Sequence, residues 1–316
     1  MATLDDVAQL AGVSKATASR ALARPELVKP DTILRVRQAA GTLGFEPSRI
    51  ARALARGRTG LVAMVVPNLE NSFFAPIIEG AQLQAEEAGY HLTITVRGLD
   101  SSSDQDAMER LAGQVDGFLL TAPQAHETVI RRVGALVPTV LIEREAVGIP
   151  SVIADSPTAF ASLAADFVRR GHTSIAYIGG PGGSWPNLMR TEAITAALEG
   201  TANLTVLGPF PPLAESGFEV CEAVINSGAT AVIVYAAPIS LGLMFALKAR
   251  GVSVPDGIVV SGDERMSRAM AVGGIPSIDV DGLAVGRASM QLLTRLLESP
   301  TPTVDQVRLP VPVHWS

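Results

Sequence analysis

The chain is poor in the residues that build disulfide scaffolds, metal centres and aromatic cores. Among 316 residues there is one cysteine, Cys221, so no disulfide framework and no multi-cysteine zinc site is available. The four histidines, His91, His126, His172 and His314, are scattered, without the paired spacing of a motif such as H-E-x-x-H, and no metal site is expected. Aromatic residues make up only 4%, which leaves Ala, Val, Leu and Ile to fill the interior, as in buried parallel sheets flanked by helices. Basic residues are outnumbered 25 to 31, and a net charge of −6 argues against a polyanion partner for the chain as a whole. A secretory signal is also lacking: the first six residues carry Asp5 and Asp6 where basic residues and then an apolar run would stand, so a cytoplasmic protein is expected. The stretch Ala229 to Leu247 has nineteen residues without a charge, which reaches membrane-span length. Pro238 splits it into a buried strand, Ala231 to Tyr235, and a helix, Ser240 to Leu247, so no membrane partner is expected.

What the chain does have is enough apolar residue, 47%, for two or three domains with real cores. Charge divides it unevenly. Residues 1–60 hold ten basic residues against five acidic ones, a net of +5, and the remainder carries −11. A small basic head on a large acidic body is the pattern of a nucleic-acid-binding module joined to a domain of another function, although charge alone fits a solvated face equally well.

The head reads as short helices with strong start signals. Thr3 and Asp6 have capping-box spacing, and Leu4, Val7, Ala8 and Ala11 follow at helical intervals up to Gly12. Ser14 can cap a second helix to about Leu22, with Val13, Ala18 and Leu22 facing inward and Lys15, Ala16, Thr17, Ser19 and Arg20 outward. Two short helices across a glycine-containing turn make a helix-turn-helix. Pro30 starts a third helix with Ile33, Val36, Ala40 and Leu43 on one face.

The twenty residues from Thr3 to Leu22, TLDDVAQLAGVSKATASRAL, resemble the DNA-binding head of the lactose-repressor (LacI/GalR) family of bacterial transcription regulators. The likeness continues through Leu43-Gly-Phe-Glu-Pro47, Ala51-Arg-Ala-Leu54 and the run from Gly57 to Pro67, and covers nearly the whole chain. In a helix-turn-helix the second helix enters the major groove, which makes Lys15, Ala16 and Arg20 the candidates for base readout. Ser14, Thr17 and Ser19 are better placed for phosphate oxygens. Residues 48–56, between Pro47 and Gly57, are too few to persist as a helix alone. The resemblance implies that this is a hinge helix formed on the operator, with Leu54 wedged into the minor groove beside Ala51 and Arg52. Ser48, where the family usually has Asn, and Lys29, at a cap position better suited to Ser, depart from the pattern.

From Leu61 onward apolar strands alternate with amphipathic helices: strands at Leu61 to Val66, His91 to Val96, Gly117 to Leu120 and Val140 to Ile142, with helices near Pro76 to Ala88 and Asp104 to Gly113. The alternation repeats after Thr158, with strands near Ile175 to Ile178, Leu204 to Leu207, Ala231 to Tyr235 and Ile258 to Ser261. The expected fold is therefore an N-terminal all-α helix-turn-helix head followed by an α/β two-lobed effector domain resembling periplasmic binding proteins. The expected divisions are 1–46 for the head, 47–59 for the hinge and linker, and 60–316 for the effector domain. One lobe would take about 60–157 and 282–305, the other about 158–278 and 306–316, with crossings near 156–158, 278–282 and 305.

Ligands of open parallel sheets sit beyond the carboxyl ends of strands. On that rule and by position in the family pattern, Asn71, Phe73 and Phe74 are pocket candidates, although the two Phe fit core packing equally well. Arg190 aligns with an arginine that in the family bonds effector hydroxyls or carboxylates; Trp185 and Asn187 precede it, and Tyr235 ends a strand. Asp155 and Asp263 follow strands and read either as ligand contacts or as hinge ion pairs. Ala236-Ala237 stands where many sugar-responsive members have Asn-Asp, and Ser261-Gly-Asp-Glu264 where Gly-Phe-Asp-Asp is frequent, so the effector is expected to be less polyhydroxylated than a free hexose or bound from the other lobe.

Enzyme readings are weaker. The run Gly179-Gly-Pro-Gly-Gly-Ser-Trp185 lacks the third glycine of a dinucleotide fingerprint, there is no G-x-S-x-G elbow or Walker loop, and no catalytic residue is proposed. A stand-alone solute receptor would explain the body but not the head. The expectation is a homodimeric transcription regulator, read as a repressor, that binds a palindromic operator and answers allosterically to a small-molecule effector such as a sugar or related metabolite, with no cofactor and without a tetramerising tail.

Overall fold

The computed structural model describes residues 2–23, 27–45, 58–99, 101–263, 273–298 and 304–315. The expected hinge residues Ala51, Arg52 and Leu54, together with Ser48 and Glu264, lie outside the described residues. The chain falls into two compact units, residues 1–61 with 114–116 and residues 62–113 with 117–316.

The described residues of the first unit form helices α1 (Leu4–Leu10), α2 (Lys15–Ala23) and α3 (Pro30–Leu43). The capping box is formed in full: the Asp6 backbone N–H donates to Thr3 Oγ1 at 3.3 Å, and the Thr3 N–H donates to Asp6 Oδ2 at 2.8 Å. These bonds, the Thr3 backbone N–H first, hold the Asp6 carboxyl below its ordinary range. Gly12, at φ +67, turns the chain between α1 and α2, a conformation that glycine adopts without steric cost. Arg35 of α3 donates to the carbonyl of Ala11 at 3.2 Å and closes the end of α1. Val7, Ala8, Ala18, Ala21, Val36 and Ala40 form the core. As the sequence suggested, Pro30 opens α3 and Lys29 gives it no side-chain cap; Gly44 closes it in the left-handed conformation.

The second unit is built on two parallel sheets. Strands β1 (Leu61–Val66), β2 (His91–Val96), β3 (Gly117–Thr121), β4 (Thr139–Ile142) and β5 (Ser151–Ala154) form one lobe with helices α4 (Phe74–Glu87), α5 (Ser102–Ala112) and α6 (Glu127–Gly134). The chain then crosses at Asp155 into α7 (Ser156–Arg169), β6 (Ser174–Ile178), α8 (Trp185–Leu198), β7 (Asn203–Leu207), α9 (Ala214–Asn226), β8 (Ala231–Val234), α10 (Ala237–Ala249) and β9 (Val259–Val260). After β10 (Pro276–Ile278) it returns through α11 (Gly282–Glu298) and β11 (Gln306–Leu309), and crosses a last time to β12 (Val313–Trp315). The sheet orders are β11-β5-β4-β3-β1-β2 and β7-β6-β8-β9, with an antiparallel β10-β12 pair beside the second.

The third crossing lies later than the expected position near 305. Gln306–Leu309 pairs in parallel with Ser151–Ala154, so this strand belongs to the first lobe, and the passage is made by residues 310–312. The nineteen-residue uncharged stretch divides at the foreseen place, giving β8 and α10. No helix among the described residues is long and apolar enough to cross a membrane.

In each lobe one helix pair is packed backbone to backbone through glycine. A Cβ on Gly286 of α11 would fall onto the carbonyl oxygen of Ile77 in α4, and one on Gly80 onto that of Leu283. In the second lobe Gly242 of α10 meets the Ala214 carbonyl in the same way, and Gly217 of α9 the Ile239 carbonyl. Only residues without a side chain permit such contact.

Candidate functional site

Two places hold the residues singled out from the sequence. In the head, Ser14 precedes α2 and its Oγ accepts the Thr17 backbone N–H at 3.2 Å, while the two hydroxyls share a 2.8 Å hydrogen bond. Ser14 and Thr17, read as phosphate contacts, are thus also the cap of the helix. Ser19 is half-buried. Lys15, Ala16 and Arg20 are exposed on α2, one turn separating Ala16 from Arg20, whose Nε donates to the Ala16 carbonyl at 3.2 Å. Lys15 Nζ donates to Asp5 Oδ2 of α1 at 2.6 Å, a contact the sequence reading did not foresee.

In the second unit the carboxyl ends of both sheets open on a cavity of about 1050 Å³. Of the nine expected pocket residues, Asn71, Phe73, Phe74, Arg190, Tyr235 and Asp263 line it, and Asp155, Trp185 and Asn187 do not. Ala236 and Ala237 form part of the wall, so methyl groups stand where polar side chains were noted as missing. The two phenylalanines pack as core residues do while also lining the cavity: their rings touch edge to face at 5.9 Å, Phe73 packs on the first lobe's core and Phe74 is buried.

Arg190 is the centre of the second lobe's wall. It is 6% exposed; its Nε donates to Ser156 Oγ at 2.9 Å and its Nη1 to the Tyr235 carbonyl at 3.2 Å. Its guanidinium carbon lies 4.6 Å from the Phe160 ring centroid and 4.9 Å from that of Tyr235, a stacked position that a lysine ammonium would not fill. Tyr235 is held by a 3.1 Å hydrogen bond between its hydroxyl and Ser184, and its ring lies against Gly180, where a Cβ would collide with it.

Asn187 has a different task. Its Oδ1 accepts from the Tyr177 hydroxyl and from the Gly180 N–H, both at 2.8 Å, and so shapes the glycine loop that follows β6. Burial raises the Tyr177 hydroxyl well above its ordinary pKa, which keeps it a donor. Asp155 lies at the first crossing, where its backbone N–H donates to the Leu309 carbonyl at 2.8 Å, and it is not part of the cavity lining.

The principal residue missed by sequence reasoning is Glu143. It directly follows β4, lines the cavity and is 1% exposed. One carboxyl oxygen accepts the Ala154 N–H at 2.7 Å. Its backbone is in the left-handed region at φ +56, as is that of Ala122 at φ +42, which follows the neighbouring strand β3. Non-glycine residues held so carry strain of about 1 to 3 kcal/mol each, and both face the cavity. Burial pushes the Glu143 carboxyl up to about 7, against the opposing pull of the Ala154 N–H and the charge of Arg190. The signal used for Asp155 and Asp263, an acid at a strand end, was equally present here.

Residues 59–311 match the family described as periplasmic binding proteins and sugar binding domain of the LacI family, and residues 3–48 match bacterial regulatory proteins of the lacI family. The chain belongs to the LacI family. As a LacI-family protein it is a DNA-binding transcriptional regulator. It is 26% identical over 321 residues to catabolite control protein A of Priestia megaterium, covering 98% of this chain and 96% of that protein. A lac repressor dimer bound to operator and the anti-inducer ONPF superposes with a TM-score of 0.84 at 25% identity, over 99% of this chain and 97% of that one. The transcriptional regulator CelR in complex with cellobiose gives a TM-score of 0.69 at 25% identity, over 99% and 98%.

Proposed function

We propose that this LacI-family regulator is a homodimeric repressor that reads a palindromic operator through paired heads and answers to a small polar effector bound between its lobes. The observation that carries the reading is the combination in one chain of an exposed Lys15, Ala16 and Arg20 face on α2 and a cavity walled by both lobes around Glu143 and Arg190. The operator-bound lac repressor dimer supports the dimeric arrangement, and the cellobiose complex of CelR supports the cavity as an effector site. Glu143 comes from the first lobe and Arg190 from the second, so a ligand touching both favours one interlobe angle over others. Such differential affinity is the requirement for a ligand to move a conformational equilibrium, and couplings of this kind are typically about 1 to 3 kcal/mol.

The cavity wall also bears on the effector's polar groups. Among the described residues it holds five carboxyl side chains, Glu79, Glu143, Asp263, Asp279 and Asp281, and one guanidinium, that of Arg190. Hydroxyl donors of a ligand find acceptors among these carboxyl groups, and a hydroxyl or carboxylate oxygen finds a donor in Arg190. The reading uses no cofactor, metal ion or catalytic residue and places the protein in the cytoplasm with its DNA.

Selection of binding sites from random duplex DNA with the full-length, effector-free protein tests it. Enrichment of a palindrome is expected; failure of a folded dimer to enrich any sequence would overturn the effector-free repressor reading.

A further inference from the structure

The ion pair between α1 and α2 is out of place on a surface turned toward a polyanion. Lys15 Nζ and Asp5 Oδ2 are 2.6 Å apart, with the two side chains 62% and 63% exposed. The exposed pair itself adds little to folding stability, and the place of Asp5 in the first turn of α1 accounts for an acid there but not for its contact with Lys15. A carboxylate there also cancels the attraction Lys15 would offer to phosphates. What the pair presents is a donor beside an acceptor, at hydrogen-bond separation, on two different helices.

That arrangement complements one base-pair edge. In the major groove a G·C pair shows two acceptors on guanine, N7 and O6, next to the N4 amino donor of cytosine. O6 and N4 are themselves hydrogen-bonded, so they lie about as far apart as Lys15 Nζ and Asp5 Oδ2. An ammonium over O6 and N7 with a carboxylate on N4 satisfies every group. On an A·T pair the same two charges fare worse, because the ammonium must sit beside the thymine methyl and the carboxylate on N6 faces the lone pair of adenine N7. From this geometry we infer that Asp5 and Lys15 act together as the reader of a single G·C base pair in each half-site, with Asp5 a specificity-determining residue contributed by the first helix. The inference rests on the operator reading given above.

The pair predicts two effects of Asp5→Ala that loss of a merely structural contact would not produce. Preference for G·C over A·T at one position of each half-site falls from roughly 10- to 100-fold to a few-fold, while neighbouring positions keep theirs. Binding to non-specific duplex strengthens, and the slope of log affinity against log salt steepens by about 1, because Lys15 becomes available to a phosphate.

The experiment is selection from random duplexes with wild-type, Asp5→Ala, Asp5→Ser and Lys15→Ala full-length protein, followed by salt titration on a non-specific duplex. The two Asp5 variants guard against a folding defect peculiar to one of them. Relaxation of the same base pair by the Asp5 and Lys15 variants, with a steeper salt slope for the Asp5 variants alone, is the expected result. An unchanged preference in both Asp5 variants, or relaxation at a position different from that of Lys15→Ala, overturns the paired reading while leaving the operator reading intact. Absence of any palindrome with wild-type protein overturns both.

Discussion

Replacing Glu143 by glutamine should alter how the effector domain responds to pH, and the direction follows from burial. The carboxyl is 1% exposed and burial raises it from 4.5 to about 7. A carboxyl whose folded pKa lies above its unfolded one binds its proton more tightly in the native state. Its contribution to stability is therefore full below about pH 4.5 and is lost as pH rises through about 7. Linkage across that interval gives roughly 3 kcal/mol, with a steepest loss of about 1.4 kcal/mol per pH unit. In Glu143→Gln the amide oxygen can still accept the Ala154 N–H, and nothing at the position titrates. Wild type and variant should therefore be within about 1 kcal/mol of each other at pH 4.5, and the variant should be more stable by roughly 3 kcal/mol at pH 8.5. For a domain of this size that corresponds to a midpoint difference of about 6 to 12 °C. Both tryptophans, Trp185 and Trp315, belong to the unit that holds Glu143, so fluorescence-detected urea unfolding at a series of pH values reports on that unit. Two stability curves that stay parallel from pH 4.5 to 8.5 would refute the assignment of a raised carboxyl at this position.

Other substitutions test the remaining architecture. Arg190→Lys keeps the charge but cannot stack on Phe160 and Tyr235 while donating to Ser156 and the Tyr235 carbonyl, and should lower stability by about 2 to 4 kcal/mol in the same unfolding assay. Gly286→Ala places a methyl on the Ile77 carbonyl and should cost at least 1 to 3 kcal/mol, roughly the range for overpacked cores. Gly41→Ala, in α3 where a Cβ meets nothing within 4 Å, should instead stabilise the head by about 0.5 to 1 kcal/mol, as read from amide-exchange protection of α3. Arg20→Ala should weaken operator binding by roughly 10- to 100-fold and relax one base pair, measured by competition with single-position operator variants.

The elements most legible in the sequence are those whose pattern is local and long. The Thr3 and Asp6 spacing, the proline opening α3 and the apolar runs of β1, β3 and β8 each carry their own signal, and all appear where expected. Gln306–Leu309 was assigned to the wrong lobe because a four-residue edge strand has no pattern that names its partner; pairing with Ser151–Ala154 decides it, and that is tertiary. In the cavity, the strand-end rule found Asn71, Tyr235 and Asp263, and the family pattern found Arg190. It passed over Glu143 because Glu143-Arg144-Glu145 reads as a charged, solvated loop, and only the left-handed backbone turns the first of these inward. Asn187, outside the cavity lining, marks a limit of sequence proximity: nearness to Arg190 says nothing about which way an amide points, and here it shapes the loop after β6.

The glycine contacts have a mechanical meaning. At these glycines, where α4 meets α11 and where α9 meets α10, main chain rests on main chain with no side chain between them to yield under load. Each lobe therefore behaves as a stiff plate, and compliance is left to three thin flexures: the turn at Asp155, residues 279–281, and the Pro310-Val311-Pro312 strut. A torque applied by a bound molecule is not dissipated inside either plate. It emerges as rotation about those three threads, so a shift of tenths of an ångström at the cavity wall is magnified, in proportion to lever length, at the far edges of the plates.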